Sequence, residues 1–336
     1  MKIVLQYFVI SCLFSFSLLA KQQYAVILQY HRFDDERYPS TNISMKLFTQ
    51  QIEYLIQYNY NILPLSKVVR FLRENRSLPD KTVVITIDDA YKTVYTKAYP
   101  LLKKHHLPYT VFVNTMPIEH RSKNYLSWDE MREMGKHGAE FANHSYSHPY
   151  LVRKRFDMTQ EIQKAQEKLE KELGDRVCSE PKMFAYPFGE YDKKLMDLVA
   201  KLGYVGIAQN SGPISNKSNF MALTRFPMSG GYGVMDQFVV KINTLPLPLQ
   251  SVENEDTLVD ESNNPPLLTL TLQQPLKAFQ CFNANGQKLA MQWLSDTKVT
   301  IQSAQPLLYP RNHYTCTAPA EDGRWYWYSH LWVVLK

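Results

Sequence analysis

Two adjacent carboxylates and two closely spaced imidazoles are the residues of this sequence best suited to chemistry. Asp88 and Asp89 close the apolar run Val83-Val84-Ile85-Thr86-Ile87, which puts paired acids at the end of a buried strand. Neighbouring carboxylates there repel one another and lose hydration, a conflict relieved by a cation or by a division of roles. An Asp-Asp pair also serves in exposed turns and as a helix N-cap, so alone it does not specify a function. His144 and His148 follow the short apolar stretch at 140–142. Their i, i+4 spacing predicts two imidazoles on one side of a helical turn, with Cβ atoms about 5–6 Å apart. Two ring nitrogens so placed converge on one zinc ion at about 2.0–2.1 Å. An Asp with two His leaves a coordination position for water, the pattern of a hydrolytic rather than a structural zinc site. A third stretch, Met183-Phe184-Ala185-Tyr186-Pro187-Phe188-Gly189, reads as a strand ending in a tight turn. Such a turn aims a backbone N–H at a developing oxyanion, although an ordinary strand-to-helix loop has the same composition.

These residues need a frame that gathers strand ends. Alternating β-rich runs (25–30, 61–63, 82–87, 109–114, 140–142, 183–186, 204–208 and 222–226) and amphipathic helical stretches (46–58, 66–74, 91–105, 128–136, 156–173 and 191–202) fill residues 24–244. Repeated strand–helix units of this kind predict an α/β fold with a parallel sheet. About seven or eight units in this length point to a (β/α) barrel, whose chemistry lies at the carboxyl ends of its strands. Asp88, Asp89, His144, His148 and Phe188 all fall at such ends, as does His31 after the first strand.

After residue 244 the texture changes. Residues 245–266, with Leu245-Pro246-Leu247-Pro248, an acidic stretch and Pro265-Pro266, read as a linker. Residues 267–336 lose the helical period, alternate as Leu268-Thr269-Leu270-Thr271-Leu272, and hold four of the five Trp, predicting a small β-sandwich. Its aromatics serve either as core or as a sugar-stacking face, with core packing favoured for any single Trp. Cys281 and Cys316 are the natural disulfide pair in an oxidising compartment, leaving Cys178 as a single thiol. At the other end, Met1-Lys2 followed by an uncharged apolar run to Ala20 predicts a secretory signal over residues 1–20 and a periplasmic or secreted mature chain. A membrane anchor is the competing reading, weakened by Gln6, Ser11, Ser15 and Ser17 within the run. The Val9-Ile10-Ser11-Cys12 stretch sits inside the apolar run rather than after it, which argues against lipidation.

With 45% hydrophobic and 21% charged residues, the chain buries enough surface to exclude disorder. Its formal charge of +6 is spread along the sequence, with no clustered footprint for nucleic acid.

Thr86-Ile87-Asp88-Asp89, His144-Ser145-Tyr146-Ser147-His148 and Pro187-Phe188-Gly189, in this order, resemble the first three motifs of the polysaccharide deacetylases, carbohydrate esterase family 4 with the NodB-homology fold. Gln29-Tyr30-His31 resembles the branch that contains poly-β-1,6-N-acetylglucosamine deacetylases of bacterial envelopes. The resemblance spans about residues 24–230. It implies a distorted (β/α) barrel and a divalent metal, usually zinc, on Asp89, His144 and His148, with cobalt or nickel compatible with the same donors. It further implies Asp88 as general base, the Phe188 amide as oxyanion donor, and a polysaccharide containing N-acetylglucosamine as substrate. Three family features are missing. Ala185 stands where the third motif has Arg, Leu223-Thr224-Arg225-Phe226-Pro227 stands near the place of the Asp-Trp motif, and no Leu-x-His occurs around 240–248. His31 is the substitute for the acid or a substrate contact, or else a satisfied histidine at the barrel end, with His330 a weaker candidate. The departures keep open a glycan-binding protein built on an impaired barrel. A hydrolase acting on O-acetyl groups is a third reading. Substrate linkage is set by loops such as 117–123 and 211–220, which the sequence does not shape.

Overall fold

The structure, a computed structural model, describes residues 23–153, 157–254 and 256–335. The expected signal at 1–20, with Cys12, lies outside the described residues, as does Phe156 at the start of the fifth expected helix.

Six parallel strands form the wall of a curled sheet: β1 (Tyr24–Tyr30), β2 (Thr82–Asp88), β3 (Tyr109–Val113), β4 (Ala139–Asn143), β5 (Lys182–Ala185) and β6 (Tyr204–Ile207). They pair in that order. A short seventh strand, β7 (Phe226–Pro227), pairs with β1 at Leu28 and Gln29, while Leu223, three residues earlier, bridges Ile207 of β6. The segment 223–227 therefore spans from the last strand back to the first, and the sheet curls into a distorted barrel. β2 is buried at every position, as an apolar strand covered on both faces must be. Helices Met45–Gln57, Trp128–Gly135, Met158–Leu173 and Lys193–Lys201 follow their strands and cover the outside, whereas Leu65–Arg73 packs Leu65, Val68, Val69 and Leu72 against the inward-facing Ala25, Ile27 and Val84. Polar caps fix several of these starts: Ser127 and Glu130 form a capping box, and the Asp157 and Asp192 carboxylates accept from backbone amides three residues on.

The C-terminal part is a pair of antiparallel-rich sheets. One contains Leu245–Pro246, Trp325–Val334, Arg311–Pro319, Gln280–Phe282 and Leu258–Val259; the other contains Leu249–Glu253, Leu267–Leu272, Lys298–Gln302 and Ala290–Trp293. Leu268, Leu270, Leu272, Val299 and Ile301 meet Tyr314, Cys316, Trp332 and Val334 in its core. Cys281 faces Cys316 across paired strands and the two sulfurs are bonded.

The reading of 245–266 as a linker is corrected here. Three strands lie in that interval and pair within the sandwich, because the Pro residues sit at strand ends and turns while Leu247, Leu249, Val252 and Val259 present apolar side chains to it. The two parts also share a core. In strand Trp325–Val334, Trp332 and Val334 point into the sandwich, whereas Leu331 and Val333 pack with Phe184, Tyr186 and Tyr204 of the barrel. Of the C-terminal Trp residues, Trp332 is core, Trp327 packs edge-on to Phe226 of β7 at 5.3 Å, and Trp293 and Trp325 are exposed.

Candidate active site

The carboxyl ends of β1, β2, β4 and β5 bring six sequence-expected residues together. Asp88 is the last residue of β2, and the chain leaves the strand through two successive left-handed residues, Asp89 (φ 71°) and Ala90 (φ 55°). Non-glycine residues adopt that conformation at a cost and only where the surroundings enforce it. The turn separates the two acids and gives them different neighbours.

Asp88 is fully buried and accepts from three donors. Arg225 Nη1 lies 2.7 Å from one oxygen, and Arg225 Nη2 and Gln29 Nε2 each lie 2.8 Å from the other. Burial would raise the carboxyl's pKa, but the Arg225 guanidinium and then His144 outweigh it and hold the group at about 2. Arg225 is itself fully buried and completes its hydrogen bonding on Ala208 O and Thr86 Oγ1. A bidentate guanidinium–carboxylate pair in which the cation also donates to a carbonyl and a hydroxyl is the kind of arrangement a buried ion pair requires.

Asp89 instead faces the imidazoles. Its Oδ1 lies 3.4 Å from His144 Nε2 and 3.4 Å from His148 Nε2. Ligand atoms of these three residues all lie within 4.8 Å of one another. The expected helical turn is absent: residues 144–148 are a loop, and the two rings converge because Ser145 (φ 65°) and His148 (φ 58°) are left-handed. Side chains pin that loop. Asn143 Oδ1 accepts from Ser145 N, Ser145 Oγ accepts from His148 N, and Glu161 takes both the amide and hydroxyl of Ser147.

The donor set fits a divalent cation. His144 Nδ1 sits 2.8 Å from the carbonyl oxygen of Ala185, which can only accept, so Nδ1 carries a proton and Nε2 is the atom turned toward Asp89. Burial opposes a charged ring, but Asp89 and Asp88 outweigh it and raise the His144 pKa, a charge balance that a cation on Nε2 would equally satisfy. That Nε2 is buried and has no hydrogen-bond partner among the described residues, an orphan of the kind a metal satisfies. Burial, followed by the charge of His144, lowers the His148 pKa to about 4 against the pull of Asp89, which keeps this ring neutral. Asp89 is held well below the usual carboxylate range, its burial overridden by His144 and His148.

Two further groups complete the floor. His31 Nε2 stands 3.8 Å from Asp88 Oδ2; burial lowers its pKa, with Asp88 opposing. Phe188 lies in the turn Pro187–Gly189 with φ 57°, its ring edge-on to His148 at 4.5 Å. Gly189 follows at φ 69°, and a Cβ there would stand 2.6 Å from Gln209, so only glycine fits. His330 is not part of this group: it is buried in strand Trp325–Val334, its ring 4.3 Å from Trp332. The sequence reading left the partner of Asp88 unassigned, and the structure supplies Arg225 from the segment that closes the barrel. Gln29 was likewise unassigned. One signal for Gln29 existed, a polar residue beside His31 at the end of an apolar strand.

Residues 75–207 match the family profile described as polysaccharide deacetylase. A poly-β-1,6-N-acetyl-D-glucosamine N-deacetylase of Staphylococcus aureus (strain MRSA252) is 25% identical over 236 residues, covering 62% of this chain and 80% of that protein. Among solved structures, the Streptococcus pyogenes deacetylase PplD in complex with acetate superposes with a TM-score of 0.60 at 27% identity, covering 65% of this chain and 98% of that one. IcaB from Ammonifex degensii shares the fold, with a TM-score of 0.58 at 22% identity over 66% of this chain and 98% of its own.

Proposed function

Since the chain belongs to the polysaccharide deacetylases, carbohydrate esterase family 4 with the NodB-homology fold, we propose that it hydrolyses N-acetyl groups on N-acetylglucosamine units of a cell-envelope polysaccharide in a metal-dependent reaction. The observation that carries this reading is the convergence of Asp89, His144 and His148 beside a second acid, Asp88, that is bound to a guanidinium instead. Those three residues would hold zinc or a similar cation, which when bound acidifies a water and polarises a carbonyl.

The roles of the remaining groups follow from their positions. Asp88, ionised and fixed by Arg225 and Gln29, accepts the proton that the attacking water gives up. The Phe188 N–H, at the turn facing His148, donates to the oxygen on which negative charge develops. His31, beside Asp88 and neutral at rest, relays a proton to the departing nitrogen or holds the substrate in place. In balance, the C–N bond breaks, the acyl carbon gains the water oxygen and leaves as acetate, and the nitrogen leaves as an amine. The motives for an inactive, purely glycan-binding barrel were the missing arginine, the missing Asp-Trp and Leu-x-His elements and the aromatic C-terminal domain; Arg225, paired with Asp88, answers the first of them. The expected apolar leader and the Cys281–Cys316 bond support a periplasmic or secreted protein. Among the described residues no helix is long and apolar enough to cross a membrane.

The test is acetate release by zinc-loaded protein from β-1,6- and β-1,4-linked N-acetylglucosamine oligomers and from peptidoglycan, with Asp88→Asn as control. We expect release on at least one substrate and a loss of about 10³-fold or more in the variant. No release on any of them, or equal release by the variant, would refute the proposal.

A further inference from the structure

We infer that the C-terminal sandwich completes the catalytic centre: Arg311, at the start of strand Arg311–Pro319, is a positioning residue for the Phe188 turn. This rests on the role proposed above for Phe188. The Arg311 guanidinium donates through Nη1 to the carbonyl oxygen of Phe188, across 123 residues of sequence. Its Nε lies 3.6 Å from Oε1 of Glu190, two residues further along the same turn. Glu190 is almost wholly buried and carries a second cation, Arg153, whose Nε donates to Oε2 at 2.7 Å and whose Nη2 donates to Oε1. Arg153 belongs to the loop that follows His148, and its guanidinium stands over Tyr150 at 5.1 Å and over Tyr309 of the sandwich at 4.6 Å. Tyr150 lies flat on Phe188, with ring centroids 3.9 Å apart and planes 7° apart.

Three pieces of chain therefore meet on one buried carboxylate: the turn with Phe188, the loop carrying His148, and the edge of the sandwich. The geometry explains why an accessory domain is required there. Phe188 and Gly189 are consecutive left-handed residues, and a non-glycine residue so placed carries a strain that its surroundings must overcome. Tyr150 and His148 hold the ring of Phe188 from the barrel side; Arg311 holds its carbonyl from the sandwich side. An isolated surface ion pair would contribute little. This one ends on a buried carboxylate and a backbone oxygen of the turn itself, so its loss frees the Phe188–Gly189 peptide, which adjoins the Pro187–Phe188 peptide carrying the N–H that the reaction depends on.

The experiment compares the full-length protein with Arg311→Ala and Arg311→Lys, measuring acetate release, zinc affinity and amide hydrogen exchange over residues 186–191. Arg311→Ala is expected to lower kcat by about 10- to 100-fold, with KM and zinc Kd changed less than about 2-fold. Arg311→Lys, which keeps one donor for the Phe188 carbonyl, is expected to recover a substantial part of kcat. Exchange over 186–191 is expected to quicken in Arg311→Ala whether or not any tested glycan is a substrate, so a wrong substrate class does not mask the result. Unchanged exchange and kcat would overturn the inference. So would a loss confined to KM, which marks a glycan contact, or a loss of thermal stability with kcat intact.

Discussion

Asp88 and Asp89 are neighbours with opposite partners, and that division is the chemical core of the account. Two successive left-handed residues, Asp89 and Ala90, leave one acid on a guanidinium and turn the other to two imidazoles. The residue types and their spacing were readable in the sequence, since an apolar strand ending in two acids and a His pair four apart announce a buried polar site. Arg225 was not, because nothing adjacent to it signals a partner 137 residues away. Its removal is the sharpest test at this scale. Asp88 has a folded pKa of about 2, below its ordinary value, so its contribution to stability is present above about pH 4 and lost as pH falls toward 2. With Arg225→Met the cation that depresses it is gone, burial dominates, and the carboxyl rises. The acidic limb of the kcat/KM profile is then expected to move to higher pH, and unfolding by urea to show a loss of roughly 3–5 kcal/mol, the usual cost of orphaning a buried charge. An unshifted acidic limb would remove Asp88 from the role of base.

The barrel depends on close approaches between elements that no periodicity reveals. β6 and the segment before β7 run so near one another that a Cβ on Gly206 would stand 2.2 Å from Met221 O and 2.5 Å from Tyr186 Oη. Gly206→Ala is therefore expected to force the segment carrying Arg225 outward. The measurable result is a destabilisation of about 2 kcal/mol or more together with reduced activity, although residue 206 is not itself one of the site residues. Strand and helix positions were legible because apolar runs and caps agree with the final packing, as at Ser127–Glu130. The loop 144–148 was misread as helical because i, i+4 spacing fits a helix, and single left-handed residues at Ser145 and His148 leave no mark on that spacing. The 245–266 interval was misread because Pro density suggests a linker, whereas here Pro occupies strand ends.

At the scale of the molecule, the barrel and sandwich behave as one packed body. Leu331 and Val333 fill the barrel's outer core, Asn210 Nδ2 donates to Ser329 O at 2.9 Å, and Trp327 lies on Phe226, next to Arg225. Destabilising the sandwich should thus be felt at the site. Reduction of Cys281–Cys316, which closes a loop of sequence separation 35, removes up to about 4 kcal/mol in the chain-entropy description. A single cooperative thermal transition that moves down with reductant is the expected record; two separate transitions would show that the parts fold independently. Acid should act in the same place. Burial, with Arg311 adding to it, lowers the His313 pKa to about 4, and burial with His313 lowers that of His330 to about 3. The unfolded chain takes up protons below about 6.5 while the folded imidazoles stay neutral, so stability falls with pH through the window from 6.5 to those values. The slope is about 1.4 kcal/mol per pH unit for each ring. Denaturation midpoints from pH 7 to 4.5 should show this slope lessened in His313→Gln/His330→Phe.

The central claim is that Asp89, His144 and His148 grip one cation beside an unligated Asp88. Anomalous diffraction at the zinc edge, from crystals of the full chain grown with zinc, tests it directly. The expected map has a peak about 2.0–2.2 Å from an Asp89 oxygen and from both Nε2 atoms, absent in Asp89→Ala. A map with no density there, or with zinc bound to Asp88 and Arg225 displaced, would contradict it.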